Sequence, residues 1–118
     1  MKVVIYSRTS TGDQNPTNQS VVLVDWANQR GDEVIKLYSE TESAWKSGHQ
    51  KELSRLLDDA RKRHFEVVLV WALDRLSREG PLAILTLVNR LKSFGVKVIS
   101  YQESWTEAPG ELGDLFML

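Results

Sequence analysis

The run Phe65-Glu-Val-Val-Leu-Val-Trp71 sets the strictest condition on how this chain folds. It is nearly continuous in β-branched and large apolar side chains and shows no alternation. A run of that length and composition fits a strand covered on both faces, which belongs at the centre of a sheet roofed by helices on each side. The flanking sequence supplies the other parts. Lys2 to Tyr6, Glu33 to Tyr38 and Val96 to Tyr101 read as three further strands. Between the first two, Asn15-Pro16 reads as an N-cap and first helical position. Val21, Val22, Val24, Trp26 and Ala27 follow on a broad apolar face, and Gly31 suits a left-handed stop.

Lys51 to Arg63 repeats Leu53, Leu56, Leu57 and Ala60 at helical spacing, and Pro81 to Phe94 does the same with Leu82, Ile84, Leu85, Leu87, Val88, Leu91 and Phe94 before Gly95. Arg55, Arg61, Lys62 and Arg63 fall on the polar side and read as a solvated helix face. The order βαβαβαβ predicts a parallel sheet with right-handed crossovers and helices on both faces. A chain of 118 residues, 42% hydrophobic, has room for one such domain and not for two.

Composition removes several kinds of chemistry. Without cysteine there is no disulfide, no thiolate nucleophile and no cysteine-ligated zinc, and His49 and His64 are too few and too far apart to suggest a metal site. The expectation is that no metal or other cofactor is used. No apolar run is long enough for a membrane span and no secretion leader opens the chain, so the expected setting is cytoplasmic. The net charge of −1 does not by itself announce a nucleic-acid binder, but every Lys and Arg lies at or before Lys97, leaving Glu103, Glu107, Glu111 and Asp114 to the end of the chain.

In an open parallel sheet, ligands bind beyond the carboxyl ends of the strands. Three polar segments meet that edge here: Ser7 to Gln14, Ser39 to Gly48, and Ala72 to Gly80. In the first, Arg8 and Ser10 stand two apart and can point the same way. Gly12 alone provides neither a P-loop nor a dinucleotide fingerprint. In the third, Arg75 and Arg78 lie three apart, on one face if the segment turns helically, with Asp74 able to hold a guanidinium. Each segment taken alone also reads as an ordinary polar turn. Together they bring three guanidinium forks and several hydroxyls to one edge, a set suited to phosphate. At this level the nucleophile is open between Ser7 and Ser10, and non-covalent binding of a phosphorylated small molecule or nucleotide by a flavodoxin-like domain is an alternative to phosphoryl transfer.

Tyr6-Ser-Arg8-Thr-Ser10-Thr-Gly-Asp-Gln14, with Gln19 beyond it, and Leu73-Asp74-Arg75-Leu-Ser-Arg78 resemble the catalytic domain of the serine recombinases, the group of resolvases, invertases and large serine integrases. The resemblance implies an α/β, resolvase-like three-layer fold with a mainly parallel sheet of four to five strands. It implies site-specific cleavage and rejoining of double-stranded DNA through a 5′-phosphoserine intermediate on Ser10, without metal or nucleotide cofactor. Arg8, Arg75 and Arg78 match phosphate-binding arginines, and Tyr6, Gln14, Gln19, Glu40, Ser43 and Asp74 match supporting positions. A homodimer that pairs into a tetramer is implied for the full-length protein, acting on the nucleoid of a prokaryotic cell. Residues 1 to 118 then correspond to the catalytic domain up to the start of a long dimerisation helix, with a DNA-binding part beyond it. One departure is evident: His49-Gln50-Lys51 precedes Leu53 where an arginine is expected, leaving Lys46 or Lys51 as substitutes. An inactive recombinase-like domain that only pairs with a partner is the remaining alternative.

Overall fold

The structure, a computed structural model, describes residues 1–9, 18–41 and 50–107. Four strands, β1 (Lys2–Thr9), β2 (Glu33–Thr41), β3 (Val67–Val70) and β4 (Lys97–Ser100), form one parallel sheet in the order β2-β1-β3-β4. Among the described residues there are three α-helices, α1 (Asn18–Gln29), α2 (Lys51–Arg61) and α3 (Pro81–Ser93), and two short 3₁₀ turns, Leu73–Arg75 and Ser104–Glu107.

The alternation of side chains along the strands divides the core in two. Val4 and Tyr6 of β1, with Val68 and Val70 of β3 and Val98 of β4, pack against Leu53, Leu56 and Ala60 of α2 and Val88 and Leu91 of α3. Val3, Ile5, Val67, Leu69 and Ile99 face the other way, onto Leu23 and Ala27 of α1. β3 is buried at every position, which is what its unbroken apolar run requires. The three-layer α/β arrangement is therefore the expected one.

Element ends differ from the sequence reading in ways that matter for the site. β1 runs to Thr9 and β2 to Thr41, so Ser7, Arg8, Ser39 and Glu40 lie within paired strands and not in the segments after them. The two strands extend together because each residue from Tyr6 to Thr9 finds a backbone partner between Tyr38 and Thr41. The third strand is shorter than its apolar run, since Phe65 and Trp71 lie outside the ladder while still packing on the core. On α1, the buried pair is Leu23 and Ala27, four residues apart; Val21 is 55% exposed. The expected helix start at Asn15-Pro16 lies outside the described residues.

The glycine stops hold: Gly31 and Gly95 have φ of 79° and 82°, values that a side chain disfavours. On α2, Arg55 and Arg61 form ion pairs with Glu52 and Asp58 at i−3, which fits the solvated face expected for that helix. No helix of the described residues is long and apolar enough to cross a membrane.

The core assignment has a direct consequence. Leu56→Ala empties a fully buried position, whereas Leu82, on α3, is 77% exposed. We expect Leu56→Ala to lose about 2–5 kcal/mol of unfolding free energy in urea denaturation. Leu82→Ala should stay within about 0.5 kcal/mol of the parent.

Candidate functional site

The carboxyl ends of β1 and β2 are joined by side chains as well as by the backbone ladder. Tyr6 and Glu40 lie on the α2 side of the sheet, both buried, and the Tyr6 hydroxyl donates to Glu40 Oε2 at 3.2 Å. The same oxygen accepts from the backbone N–H groups of Glu52 and Leu53 at 3.0 and 3.1 Å. These are the second and third residues of α2, the amides that a helix leaves without an internal partner. The residue at the local N-cap position, Gln50, makes no capping bond with its side chain. Glu40 therefore caps α2 from another strand, with its carboxylate at the positive end of the helix dipole.

Gln50 is free for a different task. Its Nε2 donates to the Tyr6 hydroxyl and to the carbonyl of Leu76, both at 2.9 Å. The chain Gln50 to Tyr6 to Glu40 thus connects the end of β1, the end of β2, the start of α2 and the segment after β3. Gln50 was absent from the residues that the motifs single out. Its only sequence signal was its place among the residues standing where an arginine is expected.

The segment after β3 carries Asp74, Arg75 and Arg78. It is fastened by Leu76, fully buried in the core, and by Ser77, whose hydroxyl accepts from the Glu79 amide at 3.0 Å. It ends at Gly80, whose φ of 103° precedes Pro81 at the first position of α3. Only Leu73–Arg75 turn helically, so the condition under which Arg75 and Arg78 would share one helical face is not met. Arg75 is half-buried, with its Nε shielded from solvent, and Arg78 is exposed. Asp74 is exposed and borders an apolar groove of about 390 Å³ with Leu73, Pro81, Ile84, Leu85 and Glu103.

Arg8 pairs across the ladder with Glu40 and, by strand alternation, shares the face of Tyr6. Gln19 is half-buried in the first turn of α1, and Lys51 is exposed at the first position of α2. Ser10, Gln14, Ser43 and Lys46 lie outside the described residues. Ser7 has a clear place: it is 2% exposed on the α1 side, accepts from the Ser20 hydroxyl at 3.1 Å and meets the Ser39 hydroxyl at 3.3 Å.

Burial raises the pKa of the Tyr6 phenol, and the nearby Glu40 carboxylate adds to this against the opposing hydrogen bond from Gln50. Burial also raises Tyr38, helped by its 2.5 Å hydrogen bond to Asp59. Both phenols hold their protons in the folded protein beyond the pH at which unfolded tyrosine ionises, about 10. The folded state then binds more protons than the unfolded one, so stability declines as pH rises from there. We expect unfolding free energy to fall above about pH 10, and to fall less steeply in Tyr6→Phe/Tyr38→Phe. Glu40→Ala, which strips one buried and one partly buried amide of their acceptor, should cost about 1–3 kcal/mol, and Glu40→Gln should recover part of it in the same urea measurement.

Comparison with known proteins adds to this geometry. The family model described as Resolvase, N terminal domain, matches residues 3–118. Among solved structures, the N-terminal catalytic domain of TP901-1 integrase is similar at 31% identity and a TM-score of 0.83, with 99% of this chain and 88% of that one covered. The C-terminal catalytic domain of ISC1926 TnpA, an IS607-like serine recombinase, is similar at 25% identity and a TM-score of 0.74, covering 85% of this chain and 68% of that one. A resolvase family site-specific recombinase from Streptococcus pneumoniae shares the fold at 18% identity and a TM-score of 0.75, over 98% and 83% of the two chains. No curated protein sequence matched.

Proposed function

The chain belongs to the resolvase N-terminal domain family, and we propose on that premise that it is the catalytic domain of a site-specific DNA recombinase using Ser10 as nucleophile. In this reading the Ser10 hydroxyl attacks a phosphorus of the DNA backbone, the bond to the 3′ oxygen breaks, and a 5′-phosphoserine ester remains. The serine proton leaves and the departing 3′ oxygen gains one. Rejoining is the same exchange reversed, with a 3′ hydroxyl attacking the phosphoserine. One phosphoester replaces another at each step, so no nucleotide is consumed.

The observation that carries the reading is the linkage of Tyr6, Glu40 and Gln50 to the Leu76 carbonyl, because it draws together the two segments that bear Arg8 and Arg75. Guanidinium groups brought near one point suit a phosphate that gains charge as it becomes five-coordinate. The enclosure of Ser7 in hydroxyl contacts with Ser20 and Ser39 supports Ser10 as the serine that meets DNA. Glu40, engaged with two helix amides and Tyr6, acts as a structural anchor and not as a base. Gln14, Gln19, Ser43 and Asp74 are assigned supporting places around the phosphate, and Lys46 or Lys51 supplies charge where relatives have arginine. The substrate is double-stranded DNA, held by a homodimer that pairs into a tetramer in the full-length protein, on the prokaryotic nucleoid.

Capture on a randomised duplex library tests the assignment. Protein trapped on DNA, digested and sequenced by mass spectrometry should yield a phosphoserine-linked peptide containing Ser10. Ser10→Ala should yield none, and Arg75→Ala should slow adduct formation about 10²- to 10³-fold. An adduct on Ser7, or one that survives Ser10→Ala, overturns the choice of nucleophile. Phosphate or nucleotide binding without any adduct favours the flavodoxin-like alternative.

A further inference from the structure

Glu103 lies just past β4, outside every motif that marks the catalytic residues, yet its carboxylate reaches into the segment that bears them. Its Oε1 accepts from the backbone N–H of Leu73 at 3.0 Å, at the first residue of the 3₁₀ turn Leu73–Arg75. The residue before the turn, Ala72, has no side chain that can cap it. Ser100 locks the carboxylate in place: fully buried at the end of β4, it donates to the same Oε1, receives the Glu103 amide at 3.3 Å, and lies 3.5 Å from the Trp71 carbonyl. Thr106, itself buried, extends the lattice by accepting from the Ser100 amide at 2.9 Å and donating to the Glu103 carbonyl at 2.8 Å.

We propose that Glu103 is a positioning residue for Arg75 and Arg78, acting through the Leu73 amide to set where the turn begins. The inference rests on the reading that these arginines hold the scissile phosphate. The turn starts three residues after β3 ends, and its backbone direction decides where the Arg75 guanidinium is aimed. Gln50 holds the residue just after that turn through the Leu76 carbonyl. The turn that carries Arg75 is thus pinned on either side by side chains from other parts of the chain, and removing one pin leaves the other and the core contacts of Leu76 in place. A loosened turn therefore costs aim more than folding, and misplacement of a reacting group by about 1 Å is enough to slow a reaction about 10²-fold.

The test compares wild type, Glu103→Ala, Glu103→Gln and Arg75→Ala in the full-length protein, on a duplex selected by the covalent capture described above. Single-turnover adduct formation is followed at saturating duplex, well below each variant's melting temperature, together with duplex affinity and hydrogen exchange of the Leu73 amide. For Glu103→Ala we expect adduct formation about 10²-fold slower, with affinity unchanged and exchange at Leu73 accelerated. Glu103→Gln should recover most of the rate and the protection, since its amide carbonyl still accepts from Leu73. If Arg75→Ala is slow while Glu103→Ala reacts at the wild-type rate, the inference fails and the arginine assignment stands. Equal slowing in Glu103→Ala and Glu103→Gln, with Leu73 protected in both, also defeats it. A wild type that forms no adduct, or an Arg75→Ala variant that reacts normally, removes the underlying reading itself.

Discussion

The carboxylate of Glu40 is the point on which the working edge of this molecule depends. Burying such a group is expensive unless hydrogen bonds replace the lost water. Here three donors converge on one oxygen: the Tyr6 hydroxyl and the amides of Glu52 and Leu53. Two of those donors are orphans of the α2 N-terminus, so the strand end and the helix start satisfy each other. The end of β2 must therefore stand over the first turn of α2, and Gln50, just ahead of that turn, is brought within reach of both Tyr6 and Leu76.

The second feature of the edge is that its caps come from far away in sequence. Neither Gln50 before α2 nor Ala72 before the Leu73–Arg75 turn caps its own element. Glu40 and Glu103 do so instead, each from the end of a neighbouring strand. A cap supplied locally stabilises one helix; a cap supplied across the sheet also sets the position of that helix relative to the strand that carries it. For chemistry that needs guanidinium groups aimed at one phosphate, relative position is the quantity that counts.

The layers were legible because burial leaves a pattern in composition. β3, buried throughout, reads as an unbroken apolar run, and α2 shows Leu53, Leu56 and Ala60 on one stripe. On α1 the broad apolar face was legible in part: Val24, Trp26 and Ala27 pack on the core with Leu23, whereas Val21 is exposed. Strand ends were read too short at β1 and β2 because Ser7, Arg8, Ser39 and Glu40 are polar, and polarity at the end of an apolar run resembles a turn. Backbone pairing with a neighbour kept them in the sheet. Gln50 was marked only by its place where an arginine is expected and Glu103 by nothing, because their partners are a phenol, a carbonyl and an amide that lie many residues away.

By itself, the amino-acid order determined the parallel α/β layering and the helix stops at Gly31 and Gly95, which follow from local conformational preference and hydrophobic period. Tertiary structure alone decided that Ser7 is buried in contact with Ser20 and Ser39, that Glu40 serves as a helix cap, and that Gln50 and Glu103 hold the two sides of the Leu73–Arg75 turn. The physical reason is reach: a hydrogen bond acts over about 3 Å, and only the folded sheet brings atoms so distant along the chain within that range.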